Sequence, residues 1–188
     1  MRLFTRRHLT RGFTLIELLI VVIILAILAA IVIPQFTNTT VDAREATLDS
    51  NLSAMRSAIE LYKIQHNNIY PGALATSGGP TCTGGTAGTA VVNTAAAFSD
   101  QMTAASNAAG QTCTVADPIN YKFGPYLRQR IPAEPITGST AFATVATPTG
   151  APIVPTAATG GWITDTKSGQ IVMNSNALDS KNAAYYTH

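Results

Sequence analysis

The most constraining feature of this sequence is one long apolar run near its N-terminus. Residues 18–33 contain no polar side chain, and residues 13–17 extend the run toward the N-terminus. As a helix, residues 13–33 would measure about 31 Å, close to the roughly 30 Å hydrocarbon core of a bilayer. The run therefore predicts a membrane-spanning helix over residues 13–34, with residues 1–12 in the cytoplasm and the rest of the chain outside.

Basic residues flank one side of the run. Four of the 12 Lys and Arg residues precede it, which leaves 8 against 10 acidic residues in the rest of the chain. The four are Arg2, Arg6, Arg7 and Arg11. A positive flank is retained in the cytoplasm, so this tip predicts the orientation of the helix. It does not indicate a nucleic-acid surface, because the later basic residues are too few to form a basic face.

Three ordinary interpretations of the run compete, and Glu17 separates them. A cleaved secretory signal has a shorter apolar region of roughly 7–15 residues, and a buried core helix would show a polar face. A simple membrane anchor needs no acid, yet a carboxylate inside an apolar span costs roughly 2.5–3.5 kcal/mol unless it is paired. No basic residue lies between Gly12 and Arg44. Cleavage after Gly12 would create a partner, the amine of Phe13, one helical turn from Glu17.

A distinctive pattern surrounds this acid. A short basic leader ends at Gly12 and is followed by Phe13, Thr-Leu-Ile-Glu ending at Glu17, the apolar span and then Pro34. The pattern resembles the precursor signature of type IV pilins and type II secretion pseudopilins. The resemblance implies that residues 1–12 are a leader peptide, which a prepilin peptidase removes before it methylates the Phe13 amine. It also implies that Glu17 guides assembly by pairing with the amine of an adjacent subunit.

Beyond the apolar run the sequence predicts a second helical stretch. Pro34 lacks an amide hydrogen, so a helix that continues past it should kink; the alternative is a helix end at the membrane surface. Apolar residues then recur at helical spacing and predict an amphipathic helix over residues 41–66. They are Leu48, Leu52, Met55, Ile59 and Tyr62. His66 at its end is expected to cap carbonyl groups rather than bind a metal.

The remaining chain predicts a head with a small sheet. Residues 73–117 are rich in Gly, Ala, Thr and Ser and indicate a long loop, with a short helix placed within residues 91–109. The resemblance implies that this loop is variable. Residues 119–175 indicate β-structure, with a strand at 141–145 and a hairpin formed by 162–165 and 170–174. The predicted fold class is therefore α+β, a long N-terminal helix packed on a small antiparallel sheet, with the head covering residues 35–188.

Two cysteines fall in the part of the chain predicted to lie outside the cytoplasm. Because thiols oxidise there, Cys82 and Cys113 favour a disulfide; two free, buried thiols are the alternative. No Cys-x-x-Cys pair or nearby histidine completes a zinc site. Several pseudopilins hold calcium near the C-terminal hairpin, but Asp165 and Asp179 are too scattered to carry that site over. We therefore predict neither a metal nor a cofactor.

The leading functional hypothesis is a structural, non-enzymatic one. The resemblance implies a subunit of a type IV pilus or type II secretion pseudopilus, stored in the bacterial inner membrane as a single-pass protein. It polymerises with other copies into a periplasmic or cell-surface filament, at an inner-membrane assembly platform. The alternative is a minor pilin that binds in adhesion or DNA uptake, the one case with a nucleic-acid partner. A membrane-tethered enzyme has little support, because no local motif combines a nucleophile, a base and an orienting group.

Overall fold

The computed structural model describes residues 12–188, apart from the side chains of Pro34 and residues 36–38. The predicted leader therefore lies outside the described residues, except for Gly12. The chain divides into two units at the boundary between Thr40 and Val41, and we describe each unit by itself.

One long helix, α1, extends over Leu15–Gln65. It includes both helical stretches that the sequence predicts, and the helix continues through Pro34. The N-terminal part contains leucine, isoleucine, valine and alanine without glycine, a composition that favours a helix wherever the apolar surface is covered. The kink at Pro34 stays a prediction.

In the second unit, α1 buries the face that the sequence predicts. Leu48, Leu52, Met55, Ile59 and Tyr62 are all at most 2 % exposed. The helix ends at Gln65 because the backbone then turns into the left-handed region, with φ of 54° and 61° at Asn67 and Asn68. Asparagine is among the few residues that adopt this region readily, so the Asn-Asn pair is an effective stop signal.

A short second helix, α2, covers Ala95–Thr103 and confirms the helix placed within residues 91–109. It begins there because the Thr94 hydroxyl accepts a hydrogen bond from the Ala97 amide, as an N-cap does. It buries Phe98 and Met102 in the main core.

Two strands that the sequence analysis did not anticipate lie within the supposed loop. β1 (Ala105–Ser106) and β2 (Thr112–Cys113) pair in an antiparallel manner. Bridges from Ala87 to Cys113 and from Ser106 to Phe123 widen this small sheet. Strands of two residues are too short to show an alternating pattern, which explains why the sequence did not reveal them.

The second sheet contains β3 (Phe142–Thr144), β4 (Trp162–Thr164) and β5 (Ile171–Met173) in that spatial order. β4 and β5 form the predicted antiparallel hairpin. β3 pairs with β4 in a parallel manner, so this sheet is mixed rather than purely antiparallel. The connection over residues 145–161 is longer than the dozen or so residues that a parallel crossover needs. The α+β fold class is confirmed, with this change to the sheet.

The main core lies between α1, α2 and the β3–β5 sheet. It includes Tyr62, Phe98, Trp162 and Met173, and the Trp162 indole donates a hydrogen bond to the Pro132 carbonyl at 2.7 Å. A smaller cluster gathers Ala105, Cys113 and Tyr121, with Cys82 packed against it. The head thus has its own hydrophobic core.

Candidate assembly segment

The N-terminal part of α1 is an apolar helix without cover. Leu15–Ile33 has a mean hydropathy of 3.4, and none of it is buried. It is the one helix in the described part of the chain that is long and apolar enough to cross a membrane, by length and composition. An apolar surface of this extent marks a segment that meets lipid or other protein chains.

Glu17 takes part in a capping box at the start of this helix. Its carboxylate Oε2 accepts hydrogen bonds from the Thr14 backbone N–H at 2.9 Å and the Thr14 hydroxyl at 2.8 Å. The Thr14 Oγ1 in turn accepts the Glu17 N–H at 3.3 Å. The reciprocal bonds satisfy two amide donors that the first helical turn would otherwise leave unpaired.

This arrangement adds to the sequence reasoning. The sequence offers Glu17 no cation within the span, and Thr14 supplies two neutral donors instead. The sequence signal for these bonds is Thr-x-x-Glu before an apolar run, the pattern of a capping box. Neutral donors leave the negative charge uncompensated, and no ion pair reaches Glu17 from the described residues. The Glu17 carboxylate therefore still requires a cation to compensate its charge, in addition to its structural role in capping the helix.

The other predicted processing residues lie beside this cap. Gly12 and Phe13 precede the helix, and Phe13 is 79 % exposed. An exposed, non-helical segment directly before a helix is accessible to a peptidase. Pro34 lies within α1. Cleavage between Gly12 and Phe13, methylation of Phe13 and the kink at Pro34 stay predictions.

The two cysteines are joined in the structure. Cys82 and Cys113, 31 residues apart in sequence, form a disulfide. The disulfide joins the segment that contains Cys82 to β2, which contains Cys113, next to the smaller cluster around Tyr121. The disulfide therefore closes the region that the sequence marked as a variable loop.

His66 has the structural role that the sequence analysis expected. Its Nδ1 lies 2.8 Å from the Tyr62 carbonyl, and its Nε2 lies 3.0 Å from the Ser106 hydroxyl. Because a carbonyl only accepts, Nδ1 carries the proton, and Nε2 of the neutral ring accepts from Ser106. The ring is fully buried and stacked on Tyr62, and this burial lowers the pKa of His66.

Sequence reasoning missed a group of polar residues that organise the head. Several acids accept hydrogen bonds from backbone amides of their own turns. Glu134 binds the amides of Ile136 and Thr137, and Asp179 binds those of Lys181 and Ala183. Loops that lack regular structure are stabilised in this way. The available signal was an acid followed by small or polar turn residues, a pattern too common to be diagnostic.

Gln101 has a related role inside the disulfide-closed region. It is fully buried, and its amide oxygen accepts the Gly72 N–H at 2.7 Å. Its amide nitrogen donates to the carbonyls of Leu74 and Gly110 at 3.0 and 2.8 Å. One side chain on α2 thereby holds two separate loops.

Comparisons with known proteins agree with this description of the N-terminal segment. Residues 7–33 match the family model described as the prokaryotic N-terminal methylation motif. The chain is 44 % identical over 59 residues to the type IV narrow pilus major component PilA5 of Thermus thermophilus. It is 39 % identical over 66 residues to type II secretion system core protein G of Pseudomonas aeruginosa. It is 50 % identical over 54 residues to the type IV major fimbrial protein FimA of Dichelobacter nodosus.

These similarities cover only part of each protein. They include 31 %, 35 % and 29 % of this chain, and 51 %, 46 % and 35 % of the three relatives, respectively. The chain thus spans about half or less of the length of the curated relatives it matches. No solved structure is significantly similar to this one.

The described residues combine an exposed apolar helix with an α+β head. More particularly, residues 7–33 match the N-terminal methylation motif, and part of the chain is similar to type IV pilus and type II secretion system proteins.

Proposed function

We propose that this chain is the precursor of a structural, non-enzymatic subunit of a type IV pilus or a type II secretion pseudopilus. The observation that carries the proposal is the uncovered apolar helix Leu15–Ile33, headed by an acid whose charge has no cation among the described residues. The match of residues 7–33 to the N-terminal methylation motif and the partial similarity to pilus, fimbrial and secretion-system proteins support it.

The N-terminal segment has two successive environments in this proposal. Before assembly it spans the bacterial inner membrane, with the basic residues 1–12 in the cytoplasm and the head outside. A prepilin peptidase cuts between Gly12 and Phe13 and methylates the new amine. At an inner-membrane assembly platform the helix then leaves the lipid and packs against other copies of the chain in a periplasmic or cell-surface filament.

In this proposal Glu17 sets the register between neighbouring subunits during assembly. A carboxylate in an apolar environment is expensive unless a cation lies close to it, and the Phe13 amine of a neighbouring copy meets that need. Subunits in the correct register satisfy the charge, whereas displaced ones leave it unpaired. The apolar packing of residues 13–33 provides the attraction, and the charge selects the geometry.

Mass spectrometry of the N-terminus in purified filaments tests the processing step. We expect the filament subunit to begin at an N-methylated Phe13. A subunit that retains residues 1–12 in working filaments would contradict the proposal.

Substitutions at the cap separate the two roles of Glu17. Glu17→Gln keeps an oxygen that can accept from Thr14 but removes the charge, whereas Thr14→Ala removes the cap and keeps the charge. We expect Glu17→Gln and Glu17→Ala to be cleaved and methylated yet to form almost no filaments, as judged by electron microscopy and a shearing assay. Thr14→Ala should still assemble. Normal filaments from Glu17→Gln would show that capping, and not charge pairing, is the role of this residue.

A further inference from the structure

Residues 177–188, which we call the strap, follow β5 and return to α1. Tyr185 of the strap is buried in the main core, and its 3-10 turn Tyr185–Thr187 contacts β5. Among the described residues, β5 pairs with β4 alone. Arg56 of α1 donates to the carbonyls of both Ile171 and His188, which places the end of the strap beside β5. The strap therefore borders an edge strand of the sheet that the described residues form.

Glu45 forms the main junction between the strap and α1. Three donors of the strap converge on its carboxylate: the Ser180 N–H at 2.8 Å, the Ser180 hydroxyl at 2.6 Å and the Tyr185 hydroxyl at 3.2 Å. Glu45 is only 7 % exposed. An ionised carboxylate is a pure acceptor and suits three donors, whereas a protonated one brings a fourth proton into the same site.

A second junction lies one helical turn further along α1. The His188 ring joins Asp49 of α1 through Nδ1 at 2.7 Å and Asp179 of the strap through Nε2 at 3.2 Å. A ring with protons on both nitrogens can donate to both carboxylates, whereas a neutral ring has one N–H and can donate to only one of them. This junction therefore depends on the ring proton as well as on the two carboxylates, unlike that of Glu45.

The bonds of Glu45 differ from those of Glu134 and Asp117 in the distance along the chain that they cover. Glu45 bonds to residues 135 and 140 positions away. Glu134 and Asp117 bond within five residues of their own position. Protonation of Glu134 or Asp117 would loosen one turn, but protonation of Glu45 would remove a contact between distant segments.

The charged and titratable groups around Glu45 come from both elements. α1 contributes Asp49 and Arg56, and the strap contributes Asp179, Tyr185 and His188. The hydrogen bond from the Ser180 hydroxyl is the main cause that lowers the pKa of Glu45. The backbone N–H of Ala183 does the same for the pKa of Asp179. A carboxyl with a lowered pKa contributes stability above its ordinary pKa, and this contribution is lost as pH falls through the lower folded-state pKa.

We propose that the strap is an acid-released clasp: protonation of Glu45 frees residues 177–188 from α1 and uncovers the side of β5, while the β4–β5 hairpin stays folded. The hairpin keeps its place because three of its strand residues, Trp162, Ile171 and Met173, pack in the main core, whereas the strap reaches that core only through Tyr185 and the partly buried Ala177 among the described residues. The inference concerns the head alone and does not depend on the proposed assembly function.

Hydrogen exchange followed by mass spectrometry tests the clasp on the full chain in detergent micelles. Exchange is measured from about pH 7 to about pH 3, with correction for the intrinsic pH dependence of exchange. We expect protection of the strap peptide to fall at least about tenfold on acidification, which corresponds to about 1.4 kcal/mol of lost local stability. Peptides of the β4–β5 hairpin should keep their protection over the same range.

Matched variants identify the responsible group. Glu45→Gln should release the strap at neutral pH and remove most of its pH dependence, and Ser180→Ala should do so partially. Glu60→Gln is the control, because Glu60 lies on the same helix and bonds to Lys63 alone among the described residues. Loss of strap and hairpin protection at the same pH would overturn the clasp, and so would Glu45→Gln protection equal to that of Glu60→Gln.

Discussion

Residues 12–40 and residues 41–188 find cover for their apolar side chains in opposite ways. Ile16 is 61 % exposed and Ile31 is 68 % exposed, whereas Leu52 and Ile59 are each 1 % exposed. The first region is a helix by composition, and its apolar surface must be covered by lipid or by other chains. The second region covers its own apolar face. The stability of residues 12–40 therefore depends on their surroundings, whereas that of residues 41–188 depends on contacts within the head itself.

Their polar groups show the same contrast. In the N-terminal segment, Glu17 bonds to Thr14, three residues away. In the head, Gln101 and Glu45 bond to groups far away in sequence. The Glu17 carboxylate thus has no cation among the described residues, whereas Gln101 and Glu45 are hydrogen-bonded within the head. The following predictions test this contrast, beginning with the largest expected effect.

Truncation of a core leucine should affect the head alone. We expect Leu52→Ala to lower the free energy of unfolding of the head by about 2–5 kcal/mol, because it leaves a cavity in the main core. The single tryptophan, Trp162, lies in that core and reports head unfolding by fluorescence in a denaturant titration. Ile23→Ala, in the exposed apolar helix, is the control and should leave the titration unchanged. An equal effect of both variants would remove the distinction between the two regions.

Loss of the disulfide should have the next largest effect. A cross-link between residues 31 positions apart restricts the unfolded chain. We expect the Cys82→Ala/Cys113→Ala double variant to lose about 3–4 kcal/mol of unfolding free energy. Chemical reduction of the unmodified protein is the control and should give a similar loss, with no change in membrane insertion. A midpoint that is the same in oxidised and reduced protein would contradict this prediction.

The stability of the head should fall in mild acid through His66. Because burial lowers the pKa of His66 in the folded head, the unfolded state binds the proton more readily. The stability that the neutral His66 ring contributes is fully present above the pKa of an unfolded histidine, about 6.5, and is lost as pH falls below that value. His66→Asn should flatten this part of the stability profile, measured by Trp162 fluorescence. His188→Gln is the control that should retain the slope, and a slope that follows His188 instead would refute the assignment.

The smallest effect is expected at the N-terminal cap. Thr14→Ala should destabilise the first turn of α1 by about 1 kcal/mol, because it removes the hydroxyl that accepts the Glu17 N–H and donates to the Glu17 carboxylate, while the bond from the residue-14 backbone N–H remains. Faster hydrogen exchange of the amides of residues 15–18 in micelles would report this fraying. The unfolding midpoint of the head should not move, and a change there would show that the two regions are coupled.

Much of the fold was predictable from the sequence because local patterns carried it. The 4-3-4-3 spacing from Leu48 to Tyr62 predicted the buried face of α1, and all of these positions are buried. The strand around residue 142 and the hairpin with β4 and β5 were also predicted correctly. In contrast, β1 and β2 are too short to leave a periodic signal. The parallel pairing of β3 with β4 depends on the crossover through residues 145–161, whose path no local pattern encodes.

The candidate assembly segment was the most predictable part of the molecule, since residues 7–33 match a known motif. The meaning of Glu17 was only partly predictable. The missing cation follows from the absence of basic residues in the span, but the bonds to Thr14 required the geometry of the helix start. Similarly, nothing near Glu45 in sequence pointed to Ser180 or Tyr185 as its partners.

The sequence by itself determined the apolar helix, its basic N-terminal flank, the acid near the start of that helix and the amphipathic continuation of α1. These features depend on residue type and short-range spacing, which the chain carries wherever it folds. Tertiary structure alone decided the mixed sheet, the network around Gln101 and the contact between Glu45 and the strap. Such contacts join residues distant in sequence, and only packing of the whole head brings them within hydrogen-bond distance.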